Sequence, residues 1–311
     1  YLTSAARMTF SSKFDKKIPS LLNDFHEPIL QPRCMTDTIP IEDLFEDIIA
    51  KAMRGRHISE SELVEKTGVP RDILARLCRG EFCDESALKK TAGALSLSPR
   101  ALTMAASKVW RPRPVTLDGL VIANTPYRDM RVNAFLVWDP ASMTGAIFDT
   151  GTDSGQLTSR AIELGVKIES IFITHTHNDH IADLDRLRTA LPAANAYSNQ
   201  AEPWPGTETF AEGAVFSIGA LKVKALTTSG HSKGGTTYFI EGLSRPLAVV
   251  GDAIFAGSMG GGMVSFANAW KNNREKILTL PDDTVICPGH GPMSSVGEEK
   301  RNNPFFAAEF A

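Results

Sequence analysis

Three of this chain's seven histidines fall within six positions, His175, His177 and His180, inside the run Thr174-His175-Thr176-His177-Asn178-Asp179-His180. Two more sit in short glycine-flanked motifs, Gly230-His231 and Pro288-Gly289-His290-Gly291, and Gly251-Asp252 places an acid in a similar setting. Chance rarely packs three of seven histidines so tightly in 311 residues, and metal binding explains the pattern. Imidazole and carboxylate donors suit zinc, iron or manganese, whereas a thiolate set would suit zinc or a cluster. His175 and His177 are two residues apart, so on an extended segment both rings point the same way. Asp179 and His180 then turn toward a second position as the chain bends. Glycines around His231 allow a tight loop that aims the ring inward. Asp252, with two carboxylate oxygens, has enough donors to bridge two cations.

Such a fold must bring distant motifs to one place, and the sequence supplies strands that end in them. Val132 to Trp138 reads as an apolar strand turned by Asp139-Pro140. Ala146-Ile147-Phe148 follows and ends in Asp149-Thr150-Gly151. Ser154 to Leu164 is expected to be helical, with Leu157, Ala161 and Leu164 on one face. Ile168 to Thr174 reads as a buried strand running into the histidine cluster, and Ala182 to Leu191 as the next helix. Leu221 to Leu226 alternates as a half-exposed strand does. Tyr238-Phe239-Ile240, Leu247 to Val250 and Val285-Ile286-Cys287 read as further strands, the last two running directly into Gly251-Asp252 and Pro288-Gly289-His290. Ligands at strand ends are held by a rigid sheet while their side chains share a cleft.

The first third of the chain is different. Residues 1–38 read as an irregular arm, and residues 39–110 as a small all-α domain. Ile41, Leu44, Phe45, Ile48, Ile49 and Met53 recur at helical spacing. Ser59-Glu60-Ser61-Glu62 is a capping box opening a second helix that Gly68 closes. Pro70 starts a third helix, through Ile73, Leu74 and Leu77 to Gly80. Asp84 caps a fourth, ending near Leu95, and Ser98-Pro99 opens a fifth. Trp110-Arg111-Pro112-Arg113-Pro114 is a linker of paired prolines, and residues 115–311 are the expected catalytic domain.

The stretch from Ser61 to Arg79, followed by Leu88 to Pro99, resembles a helix-turn-helix of the phage-repressor type over about 50 residues. The resemblance places Arg71, Arg76 and Arg79 on or near a recognition helix and makes nucleic acid a candidate partner. The alternative is a unit that packs, makes a homo-oligomer or covers the catalytic domain. Residues 41–110 carry 11 Lys+Arg and 11 Asp+Glu, a net charge of zero, without the basic footprint that phosphate neutralisation demands. The whole chain's formal charge of −3 also argues against a polyanion binder. No apolar run reaches the roughly 20 residues needed to span a bilayer, and no signal peptide opens the sequence. Four cysteines, Cys34, Cys78, Cys83 and Cys287, show no disulfide framework. A cytoplasmic protein is the resulting expectation.

From Asn133 onward the motifs resemble those of the metallo-β-lactamase superfamily, and within it the glyoxalase II-like hydrolases. The HxHxDH run, the later Gly-His, the Gly-Asp and the final Gly-His-Gly-Pro occur in family order, as do Gly251 to Gly261 and Gly297 to Phe305. The resemblance implies an α/β protein, an αββα sandwich with metals at one sheet edge and the smaller all-α domain in front. It implies a first metal site of His175, His177 and His231 and a second of Asp179, His180 and His290, with Asp252 bridging. Two divalent ions are implied, zinc as the first expectation, with iron or manganese as alternatives. Asp149 either supports a ligand histidine from behind or serves the turn alone. The implied chemistry is hydrolysis by a metal-bridging hydroxide that attacks a carbonyl carbon, with Asp179 as the catalytic residue that orients it. A thioester of the hydroxyacylglutathione type is the expected small-molecule substrate. Only 21 residues follow His290, short of the helical domain that grips glutathione in glyoxalase II proper. Gly260-Gly261-Gly262 also replaces the family's Gly-Arg at that point. Competing readings are a persulfide dioxygenase with one iron on His175, His231 and Asp252, a lactonase, and a DNA-binding ligand sensor.

Overall fold

The computed structural model describes residues 39–310, so the N-terminal arm, with Cys34 and His26, lies outside the described residues. Five helices come first: α1 (Phe45–Arg56), α2 (Glu60–Thr67), α3 (Arg71–Leu77), α4 (Glu85–Ala94) and α5 (Pro99–Ala106). Their ends follow local chemistry. Ser59 accepts from the Glu62 amide while the Glu62 carboxylate receives the Ser59 amide at 2.7 Å, and Gly68 closes α2 with φ 63°. Asp84 and Ser98 cap α4 and α5 through the amides of Ala87 and Ala101. Pro70 stands at the N-cap of α3, and that helix ends at Leu77, short of Gly80. Ile41 and Leu44 precede α1, and Leu44 is 46 % exposed.

Two six-stranded sheets follow. The first joins β1 (Leu120–Tyr127), β2 (Met130–Asp139), β3 (Thr144–Phe148), β4 (Lys167–Phe172), β5 (Asn195–Asn199) and β6 (Glu208–Phe210), in that spatial order. The second contains β7 (Val215–Ile218), β8 (Leu221–Thr227), β9 (Thr236–Glu241), β10 (Leu247–Gly251), β13 (Val285–Pro288) and β14 (Ser294–Ser295), ordered β14-β13-β10-β9-β8-β7. A short hairpin, β11 (Ile254–Phe255) with β12 (Ser258–Met259), hangs from the end of β10. Helices α6 (Gly155–Leu164), α7 (Asn178–Ile181), α8 (Leu184–Ala190), α9 (Phe266–Asn272) and α10 (Val296–Asn302) complete the described part, with a π turn over Asn273–Ile277. The helix expected over residues 182–191 is α8, and a separate single turn, α7, precedes it and carries Asp179 and His180. β4 is exposed along its first half and buried only at Ile171 and Phe172.

Period-two alternation assigns the layers. Phe135, Phe148 and Phe172 face the second sheet, against Val223, Tyr238, Ile240 and Val249. Their neighbours Leu136, Ile147 and Ile171 face the other way, onto Leu157 and Ala161 of α6 and Leu184 and Leu187 of α8. On the second sheet, Ala248, Val250 and Ile286 point outward into a core that includes Phe45, Ile48, Ile49, Leu63, Leu74, Leu88 and Leu102. The architecture is α/β, helix–sheet–sheet–helix, with α1–α5 sharing the outer helical layer of the second sheet with α9 and the C-terminal segment. Among the described residues no helix is long and apolar enough to cross a membrane. Cys78, Cys83 and Cys287 are free thiols, and burial raises the pKa of Cys287 beside Met293.

Candidate metal centre

All seven expected side chains converge at the strand ends. His175 and His177 follow β4, Asp179 and His180 sit on the single turn of α7, His231 follows β8, Asp252 directly follows β10 and His290 follows β13. They form two groups, His175, His177, His231 and Asp252 in one and Asp179, His180 and His290 in the other, each with its potential ligand atoms within 4.8 Å of one another. Asp252 faces both. Its Oδ2 lies 3.3 Å from His231 Nε2 and 3.4 Å from His290 Nε2, and its Oδ1 lies 3.3 Å from His180 Nε2. Gly289 makes this approach feasible, because a Cβ there would stand 2.2 Å from Asp252 Oδ1 and 2.5 Å from the His180 ring.

The outward nitrogens of His180, His231 and His290 are occupied. The His231 Nδ1–H donates to the Gly261 carbonyl at 2.9 Å and that of His290 to the Arg131 carbonyl at 2.6 Å. His180 Nδ1 donates to Asp149 Oδ2 at 2.7 Å. The second oxygen of Asp149 accepts the Thr174 amide at 2.7 Å. Asp149 does this from a left-handed backbone, φ 57°, a conformation Asp tolerates better than most residues. Turn chemistry and support of a histidine are therefore one arrangement. Fixing one ring nitrogen in this way sets the tautomer and aims the other inward.

The inward nitrogens crowd one another and the carboxylates of Asp252 and Asp179. His175 Nε2 and His231 Nε2 each lie 3.0 Å from His177 Nδ1, which can carry at most one proton to share between them. His180 Nε2 and Asp252 Oδ1 are buried without a hydrogen-bond partner. Orphaned buried donors of this kind are costly unless a cation or proton sits between them, and the nitrogen and oxygen donor set fits divalent cations.

Electrostatics divide the two groups. Burial, with the charge of His180 beside it, pushes the His175 pKa well below its ordinary value, and burial also lowers that of His231. The second group does the reverse. Although burial opposes charge, Asp252 and Asp149 push His180 up to about 10, and Asp252 with Asp179 pushes His290 up to about 11. Burial works against ionisation of Asp252 and Asp179, but His290 and His180 outweigh it and hold both carboxyls below their ordinary range, Asp252 far below.

Residues 127–290 match the Metallo-beta-lactamase superfamily. The chain belongs to this superfamily. Among curated proteins it is 30 % identical over 204 residues to "Probable metallo-hydrolase YqgX" of Bacillus subtilis, covering 58 % of this chain and 94 % of that protein. It is 27 % identical over 204 residues to "Hydroxyacylglutathione hydrolase GloC" of Haemophilus influenzae, covering 58 % of this chain and 95 % of the relative. Among solved structures, ETHE1 from Myxococcus xanthus superposes with a TM-score of 0.54 at 23 % identity, covering 61 % of this chain and 88 % of that one, a likeness of fold. Proteins of this superfamily bind divalent metals, and this chain has the clusters of histidine and aspartate for it.

Within this metallo-β-lactamase fold, several supporting residues were not singled out from the sequence. Glu202 takes the Thr176 amide on one oxygen and the Gly234 amide on the other, both at 2.7 Å, tying the two histidine loops together. Its own loop has no periodicity to mark it. Asn133 donates to the carbonyls of Pro288 and Gly291 at 2.9 and 2.8 Å and so fixes the His290 loop. A buried Asn inside an apolar strand was the available cue. Before α1, residues 39–43 run beside the same loop. The Glu42 amide lies 3.2 Å from where a Gly291 Cβ would stand, and burial raises the Glu42 carboxyl pKa while His290 opposes the shift. Arg71, Arg76 and Arg79 join neither cluster. Arg71 donates to Ser61 at 2.9 Å, and Arg76 and Arg79 meet Glu81 at 2.8 and 3.5 Å.

Proposed function

We propose that this chain is a dinuclear metal-dependent thioesterase of the glyoxalase II type. The observation that carries the reading is the position of Asp252, which offers one carboxylate to both histidine groups at 3.3–3.4 Å. His175, His177 and His231 would hold one ion, Asp179, His180 and His290 the other, and Asp252 would stand between them. Two such ions supply a nucleophilic water at neutral pH, by lowering its pKa from 15.7 to about 7, and polarise the substrate carbonyl. Asp179 Oδ2 faces His290 at 3.2 Å, which leaves Oδ1 to orient the attacking water and take its proton. His177 and His231 are the less buried rings, so substrate enters on their side, while fully buried His180 anchors the floor. No serine or cysteine nucleophile is called for, and Cys287 is sealed in the core. Zinc is the first expectation for this donor set, with iron or manganese as alternatives.

The test joins metal content to turnover. The wild-type chain is expected to carry two equivalents of metal and to cleave hydroxyacyl thioesters. Asp179→Ala and His290→Ala are expected to fold, lose one equivalent and lose at least about 100-fold in kcat, since removing even an outer partner of a ligand costs about 10–100-fold. Wild-type-like turnover in either variant would overturn the reading. So would one iron per chain with oxygen uptake on glutathione persulfide, or activity confined to lactones.

A further inference from the structure

The loop Gly260-Gly261-Gly262 has two sides. On one, the Gly261 carbonyl receives His231 of the metal centre. On the other, it walls a cavity of about 840 Å³ whose opposite side is the end of α1, with Lys51, Arg54 and His57. A second hollow of about 540 Å³ shares Gly55, Phe266 and Ala267 with the first and continues past Arg56 to Trp270 and Arg274 on the other side. The two hollows adjoin across the packing of Phe266 on Gly55, and this divided groove lies beside the loop that receives His231. Its cations outnumber its acids. Lys51, Arg54, Arg56, Lys271 and Arg274 line it, against Glu275 alone. Some of that charge is already used: Lys51 pairs with Asp43 and donates to the Met259 carbonyl at 2.9 Å, and Arg274 meets Glu275 at 3.0 Å. Arg54 and Arg56 have no carboxylate partner among the described residues. Arg56 lies 5.7 Å over the Phe266 ring, and its Nε is buried without an acceptor. The buried Nε is closed to solvent, so the anion-pairing capacity lies in the terminal N–H groups of Arg56, held on an aromatic face, and in the exposed guanidinium of Arg54.

We propose that this groove binds the thiol-carrier half of the substrate and that the carrier is anionic, its carboxylates or phosphates paired with Arg54 and Arg56. The proposal rests on the thioester reading above and deepens it. It also gives α1 a task that the glycine loop cannot perform, since Gly261 stands where the resemblance implies an arginine. The appended helices then supply the cationic wall of the substrate site from in front of the catalytic fold. Carboxylates of a glutathione-like carrier and phosphates of a coenzyme A-like carrier share this chemistry, and the test separates them.

The full chain is titrated with S-methylglutathione, S-methyl-coenzyme A and the neutral methyl thioether of N-acetylcysteamine, by calorimetry and by tryptophan fluorescence. At least one anionic thioether is expected to bind, more weakly as salt rises, and about tenfold or more weaker to Arg54→Ala and Arg56→Ala. The neutral thioether is expected not to bind measurably, and Trp270→Phe to abolish the fluorescence response. Whichever anionic probe binds identifies the carrier class. Arg54 is exposed, so Arg54→Gln, checked for an unchanged melting temperature, carries the test if Arg56→Ala does not fold. Binding of neither anion, equal binding by the variants, or equal affinity for the neutral probe would overturn the groove. Arginine-dependent binding without cleavage of any thioester would leave the groove standing and remove the hydrolase reading. Cleavage indifferent to both arginines would do the reverse.

Discussion

His180 and His290 show what the centre costs and gains before any cation enters. Their pKa values, about 10 and about 11, stand above the ordinary 6.5. A raised folded-state value means that each charged ring stabilises the metal-free chain fully below about pH 6.5 and that the contribution is lost as pH rises through 10 and 11. Asp252 and Asp179 are depressed, so their contribution is present above the ordinary carboxyl range and lost as pH falls below it. Metal-free protein is therefore expected to melt at its highest temperature in mildly acidic buffer and progressively lower from pH 7 to pH 10. Divalent cations compete with protons for the same nitrogens, so zinc should raise the melting temperature more at pH 8 than at pH 6. Melting curves of chelator-treated protein with and without zinc measure both trends, and a pH-independent metal-free melting temperature would contradict them. The seven residues of the two candidate metal clusters could be picked out because they are compressed into short motifs. Glu202 and Asn133 were not, because their work depends on loops that meet only in three dimensions.

At the scale of elements, legibility tracked local chemistry. α2, α4 and α5 were readable because Ser59 with Glu62, Asp84 and Ser98 cap them through bonds three residues away. β1, β5, β6 and β7 went unread, because strands of mixed polarity gain their stability from neighbours, not from their own pattern. α1 separates the two cases. Periodicity placed both Leu44 and Ile49 on its buried stripe. In the structure Ile49 is fully buried in the core under the second sheet, whereas Leu44 precedes the helix and is 46 % exposed. Ile49→Ala should destabilise the chain by about 2–5 kcal/mol, the transfer loss plus a cavity that dense packing cannot close. Leu44→Ala should stay within about 0.5 kcal/mol of wild type. Urea unfolding of the two variants compares them directly, and equal costs would mean that Leu44 is buried after all.

Across the whole molecule, the question is whether α1–α5 are a passenger or part of the catalytic fold. A DNA-reading passenger would show a basic face and a core of its own. Residues 41–110 are instead electrically neutral, and the arginines of the α2–α3 region are met by Ser61 and Glu60 of α2 and by Glu81 just beyond α3. The apolar faces of α1–α5 close over Ala248, Val250 and Ile286, the outward side of the second sheet, in one continuous core. Strands β10 and β13, which carry these three residues, also lead directly into Asp252 and His290. Loosening the helices would thus be felt by the metal ligands. Calorimetry of the full chain should show a single transition whose van't Hoff and calorimetric enthalpies agree, and Ile49→Ala should shift that transition as a whole. A polypeptide starting at residue 111 would expose the sheet face now covered by the helices and should aggregate or melt far lower. Two separate transitions, with zinc raising only the upper one, would show that the helices fold independently and would remove the physical basis for their part in the substrate groove.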